Sequence, residues 1–125
     1  MAREAAAGVW TDPATGLMWT KKDNVSDVNW QEAMDYCGNL QLSGHSGWRL
    51  PTIEELQRIH DAHANVGGYH VKGDMQLSSL WHWSSSKGNA SWEAWDFHFS
   101  DGERVSNRRD YSHDGHALCV RRSGE

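Results

Sequence analysis

Eight His, two Cys and a run of three Ser are the side chains of this 125-residue chain best suited to chemistry. His60 and His63 stand three apart where a helix is expected to end, and His113 and His116 three apart near the C-terminus. Neither pair belongs to a His-Glu-x-x-His zinc motif, and Cys37 and Cys119, 82 residues apart, are too distant in sequence for a zinc knuckle. They read as solvated loop and helix-end histidines, so a metal site here would have to be assembled in three dimensions. Ser84-Ser85-Ser86 ends a candidate strand without the Gly-x-Ser-x-Gly elbow that presents a nucleophile. No glycine-rich loop suited to cradling phosphate is present. The expectation is a protein without catalytic residues, metal or cofactor.

Recognition chemistry is better represented. Ser106-Asn107-Arg108-Arg109-Asp110-Tyr111-Ser112-His113 is rich in residues that bind partners by hydrogen bonding and planar stacking, although an ordinary polar loop can have the same composition. Along the strand expected at Trp95 to Phe99 the rings alternate with Asp96 and His98, which should face solvent or a partner. The Asp101-Gly102 turn would return Arg104 and Ser106 beside them. Ser91, Trp92 and Glu93 would form the opposite rim, with Trp92 as aromatic anchor. One contiguous exposed patch is predicted from these residues.

The elements that position them follow from hydrophobic period and caps. Val9-Trp10-Thr11 and Leu17-Met18-Trp19-Thr20 read as strands around the turn Asp12-Pro13-Ala14-Thr15-Gly16. A first helix runs from Trp30 to Leu40 behind the capping box Asn29/Glu32, with Cys37 on its apolar face. A second begins at Thr52-Ile53-Glu54-Glu55, carries the stripe Ile53, Leu56 and Ile59, and decays by Asn65-Val66-Gly67-Gly68. Residues 64–79 read as loop. Strands are expected at Leu80 to Ser84, Trp95 to Phe99, Glu103 to Ser106 and Ala117 to Arg121. The order predicts an α+β fold: two helices on a small twisted antiparallel sheet with long loops.

Composition bounds the rest. Leu, Ile, Val and Phe number only 19, but eight Trp supply a core that the aliphatics could not. A net charge of −5 and a pI near 5.9 argue against bulk electrostatic binding of nucleic acid. No apolar run approaches a membrane span, and Met1 to Gly8 lacks the apolar core of a signal peptide. Cys37 and Cys119 are either a disulfide, which would favour an extracellular or cell- or virion-surface location, or a reduced pair of small core residues.

Asp12-Pro13-Ala14-Thr15-Gly16-Leu17-Met18-Trp19, Trp30-Gln31-Glu32-Ala33 with Tyr36-Cys37, and above all Gly47-Trp48-Arg49-Leu50-Pro51-Thr52-Ile53-Glu54-Glu55-Leu56 resemble the Lcl C-terminal domain family. Trp83-Ser84-Ser85, Ala94-Trp95, Phe97-His98-Phe99-Ser100-Asp101-Gly102 and Cys119-Val120-Arg121 continue the likeness, in order, over about residues 9 to 122. The resemblance implies one domain spanning 9–122, with tails at 1–8 and 123–125, and a C-type-lectin-like fold related to that of formylglycine-generating enzymes. It implies that a Cys on the first helix pairs with one on the last strand, the positions of Cys37 and Cys119. It also implies a ligand-binding module: an adhesin with a fixed site for glycans or other polyanions, or a variable protein of a diversity-generating retroelement. The calcium and sugar motifs of animal C-type lectins are absent, as is the close catalytic Cys pair of formylglycine-generating enzymes. Adenine-directed mutagenesis of Asn codons cannot produce Glu, Lys, Met, Gln or Trp. Those types fill 27 of 125 positions, yet Val105 to Cys119 contains none. That window favours the variable-protein reading, with a protein or glycan as partner.

Overall fold

The computed structural model describes residues 8–64, 69–73, 75–79 and 81–122. Leu80, the segment Asn65 to Gly68 and the expected tails, apart from Gly8, lie outside them. Strands β1 (Val9–Asp12) and β2 (Leu17–Thr20) pair antiparallel around a turn in which Asp12 Oδ1 accepts the Ala14 N–H at 3.0 Å. Helix α1 (Trp30–Asn39) begins as its sequence dictates. Asn29 Oδ1 accepts the Glu32 N–H at 2.9 Å, and the Glu32 carboxylate accepts the Asn29 N–H at 2.9 Å. Helix α2 (Ile53–Arg58) repeats the device with Thr52 and Glu55.

Helix α2 is shorter than its stripe implies. After Ile59 the backbone leaves the helix and pairs across to the segment at residues 69–73. Lys72 N–H donates to Ile59 C=O at 2.8 Å, and Asp61 N–H to His70 C=O at 3.0 Å. That segment has no period of its own, yet it buries Val71, and Met75 follows it into the core.

The antiparallel sheet expected from the pattern is two sheets. β1, β2 and β7 (Val120–Arg122) form one, in the order β1-β2-β7. β3 (Trp81–Lys87), β4 (Glu93–His98), β5 (Arg104–Arg108) and β6 (Gly115–His116) form the other, in the order β5-β4-β3-β6. Its β3–β6 pair is parallel, a correction to the all-antiparallel expectation. The chain passes from the β5 edge to the opposite edge before Gly115, so it runs alongside Trp81 in the same direction. Gly is required there: a Cβ at residue 115 would lie 2.5 Å from the Trp81 ring.

The four-stranded sheet separates two cores. On one face Trp81, Trp83 and Ala94 pack with Ala33 and Cys37 of α1. On the other, Phe97 and Phe99 pack with Ile53, Leu56 and Ile59 and with Trp19 and Val120 of the three-stranded sheet. The Cys37–Cys119 disulfide, with Cα atoms 5.4 Å apart, ties α1 to the segment entering β7. The architecture is α+β, as the element order predicts.

Candidate functional site

Strand register decides which predicted site residues meet. His98 pairs with Trp81 and Asp96 with Trp83, so Asp96 and His98 lie on the α1 face of the sheet. Across the other edge, Asp96 is opposite Val105, whereas Arg104 is opposite Phe97 and Ser106 opposite Trp95. Arg104 and Ser106 therefore lie on the far face from Asp96 and His98, and the single patch expected from the sequence divides into three groups.

The first group lies at the end of the β4–β5 hairpin. Ser91, Trp92, Arg108, Arg109 and Asp110 line a concavity of about 460 Å³. Trp92 is 64% exposed, whereas the other seven Trp are buried or half-buried. Arg108 donates through Nε and an η-nitrogen to both Asp110 oxygens, at 3.2 and 2.8 Å. Arg109 is held more firmly. Its guanidinium lies 4.2 Å over the Trp30 ring, its Nε donates to Glu93 C=O at 3.1 Å, and its backbone N–H donates to Trp92 C=O at 2.9 Å.

The second group surrounds Trp81. The Trp81 ring is near-parallel to His98, centroids 6.5 Å apart, and to Tyr111, 6.1 Å apart. Tyr111 is 44% exposed. Asp96 does not face solvent; it is 0% exposed, beneath His98 and Asn107. Asn107 Nδ2 donates to its Oδ2 at 2.7 Å, and His98 Nε2 approaches Oδ1 to 3.0 Å as an ion pair. The Asp96 carboxylate raises the His98 pKa above 6.5, against the opposing effect of burial. Period-two alternation correctly puts Asp96 opposite the Phe rings, but that second face is a core as well.

The third group, on the far face, is Glu93, Arg104 and Ser106. Ser106 Oγ donates to Glu93 at 2.8 Å and accepts the Asn89 N–H at 2.9 Å. Arg104 lies 4.9 Å over the Trp95 ring. Ser112 and His113 lie in the turn before β6, where Gly115 N–H donates to Ser112 C=O at 3.0 Å and the His113 ring meets Tyr111 edge-on, centroids 6.5 Å apart.

Sequence reasoning missed a buried polar network. Asp23 Oδ2 takes His82 Nε2 at 2.8 Å and the Ser78 N–H at 2.8 Å, and its Oδ1 accepts from Ser78 Oγ. Burial pushes the Asp23 carboxyl up, but the bonds from His82 and Ser78 outweigh it and hold the group well below the usual range. Burial lowers the pKa of the fully enclosed His82, against the opposing effect of Asp23, to whose carboxylate its Nε2 donates. His116, expected to be solvated, is buried as well. Its Nδ1 is 2.9 Å from Ser78 Oγ and its Nε2 is 3.0 Å from Asp27 Oδ1. No periodicity marks Asp23 or Ser78 as interior, because both lie in loops. A second concavity, about 260 Å³, is lined by Val25, Tyr36, Leu40 and Leu42 among others and contains no sequence-predicted site residue.

The Trp-Arg-Leu-Pro-Thr-Ile-Glu-Glu segment has a definite structural task. Trp48 and Leu50 are buried, Arg49 pairs its backbone with Val120, and its guanidinium engages both Glu55 oxygens at 2.8 Å. The model of the Lcl C-terminal domain family matches residues 8–121, nearly all of the described fold. The chain belongs to the Lcl C-terminal domain family. No curated protein matches it significantly. Within this Lcl C-terminal domain the signature joins α2 to β7, and the disulfide joins α1 to the same region. The resemblance-implied pairing of Cys37 with Cys119 is present. Among the described residues no helix is long and apolar enough to cross a membrane.

Proposed function

We propose that this Lcl C-terminal domain is a non-enzymatic recognition module of C-type-lectin-like fold. In this reading its ligand docks on Trp92 and the adjoining concavity, on a surface diversified as in the variable proteins of diversity-generating retroelements. The observation that carries the reading is the exposure of Trp92 in a chain that otherwise packs its Trp into or against the core. Leaving a large ring in water is unfavourable unless a partner covers it. The concavity beside it lies at the open end of the β4–β5 hairpin, where Glu93 pairs with Arg108 and the Arg109 N–H donates to Trp92 C=O, a held base for variable side chains. Val105, Arg108, Asp110, Tyr111 and His113 are exposed, and all fall in the window free of Glu, Lys, Met, Gln and Trp. A helix-to-last-strand disulfide supports the C-type-lectin-like reading and favours an oxidising, extracellular or surface location.

The polyanion-adhesin alternative has less support. Arg104 is on Trp95, Arg108 is neutralised by Asp110, and Arg109 is stacked on Trp30, so the three do not form a basic patch. The absence of catalysis is likewise a reading of geometry. Ser78, His116 and Asp27 have the connectivity of a nucleophile, base and orienting acid, but the Ser78 hydroxyl donates to the ionised Asp23, which leaves Oγ unactivated by His116.

The test is to sequence the locus across isolates of the source. Diversification predicts substitutions confined to adenines in codons for exposed residues of 105–119, with a template repeat beside a reverse transcriptase gene. An invariant locus without a template would overturn it, and retention of the domain on heparin at physiological salt would then favour the fixed-site adhesin.

A further inference from the structure

We infer that the outer edge of β5 is a docking strand for an extended segment of a protein ligand, one that carries an acidic residue beside an aliphatic one. Two bonds fix which way the β5 backbone faces. His98 N–H donates to Glu103 C=O and Arg109 N–H to Trp92 C=O, both at 2.9 Å, and the register between them is unbroken. The odd-numbered residues from 103 to 109 therefore bond β4, and Arg104, Ser106 and Arg108 turn their peptide groups outward. Among the described residues only the Arg108 C=O of this outward set finds a partner, the Tyr111 N–H at 3.1 Å. The N–H groups of all three and the C=O groups of Arg104 and Ser106 have none. Such a row matches the two-residue repeat of another extended backbone rather than a saccharide. β5 also holds no Pro and no bulge to protect it. By contrast, the Gly115 C=O of β6 accepts the Val28 N–H at 2.8 Å, and Val120 of β7 exchanges two bonds with Arg49.

Charge selects the occupant. Residues 104–109 hold three Arg and no acid. Arg108 is paired with Asp110 and Arg109 is stacked on Trp30. Arg104 is exposed, lies over Trp95 and enters no ion pair among the described residues. A second copy of this chain is disfavoured, because antiparallel self-pairing centred on Ser106 would set Arg104 opposite Arg108 of the second copy. A ligand strand with Asp or Glu opposite Arg104 gains an ion pair instead. Its next residue meets Val105, which is 38% exposed on the other face. Arg108 also lines the Trp92 concavity, so edge and concavity are continuous. The inference rests on reading the domain as a recognition module, but not on Trp92 or on diversification.

The probe is a phage-displayed library of random dodecapeptides selected on the whole chain, with the enriched sequences resynthesised. The expected peptides carry an acid next to Val, Ile or Leu. N-methylation at alternate residues should cut affinity by about tenfold in one register and hardly at all in the other, since only every second N–H faces β5. Ser106→Pro removes an outward N–H that takes no part in the β4 ladder and should cost a similar factor. Arg104→Glu, at an exposed site, should lose the acidic peptides and gain their Lys counterparts, a readout that stands whether or not Ser106→Pro folds. Absence of enriched peptides, indifference to the N-methylation register, or binding unmoved by Arg104→Glu would each overturn the assignment. So would dimerisation of the wild type that Ser106→Pro abolishes, which would make the occupant a second copy. Peptides that bind in this way regardless of Trp92→Ala would uphold the inference and remove the Trp92 site; peptides lost with Trp92→Ala alone would do the reverse.

Discussion

At the residue scale, burial separates the aromatic side chains into two kinds. Trp83 is fully enclosed, and its indole N–H donates to Val28 C=O at 2.9 Å. Trp83→Ala is expected to cost about 3–5 kcal/mol through lost transfer energy and a cavity, measured by denaturant unfolding. Trp92→Ala should leave the melting temperature within a degree or two while weakening capture of any ligand found. A large loss of stability at Trp92 would show that its ring packs rather than recognises. His98 provides a pH dependence with a definite sign. Its pKa is raised in the fold, so the stabilisation from its pair with Asp96 is complete below pH 6.5 and is lost as pH rises through the higher folded value. The stability gap between wild type and His98→Gln should therefore narrow above neutrality; a gap constant with pH would remove the ion pair from the account.

At the scale of elements, Asp23 is the joint between the loop after β2, the segment before β3, and β3 itself. Asp23→Ala would leave His82 Nε2–H and the Ser78 N–H without an acceptor in a dry interior, and a loss of about 3–5 kcal/mol is expected in equilibrium unfolding. The helices were legible in advance because caps are local: Asn29, Glu32, Thr52 and Glu55 each act within three residues. The end of α2 was not, since the groups that capture the chain after Ile59 belong to residues 70 and 72. Strand positions were legible from the alternation Trp95, Phe97, Phe99. The sides of Arg104 and Ser106 were not, because one residue of register moves a side chain to the other face.

At the scale of the whole molecule, the disulfide closes most of the chain into one loop. Reduction, or the double change Cys37→Ala and Cys119→Ala, should cost about 4–5 kcal/mol by the chain-entropy account and lower the melting temperature by many degrees. An unchanged melt on reduction would mean that the two cores suffice. The amino-acid sequence by itself determined the α+β class, the two helix starts, the β1–β2 turn, the Trp-built interior and, through the Trp-Arg-Leu-Pro-Thr signature and its neighbours, the family. Each is written in residues near in sequence or in a pattern held along one element. Tertiary structure alone decided that Asp96 is buried, that the expected patch divides across a sheet with a core on both faces, and that Asp23, Ser78, His82, His116 and Asp27 meet. The meeting of Asp23 with Ser78, His82 and His116, and of His116 with Ser78 and Asp27, depends on contacts across 38 to 93 residues. A polar residue in a loop carries no local mark of whether the chain will later return to cover it.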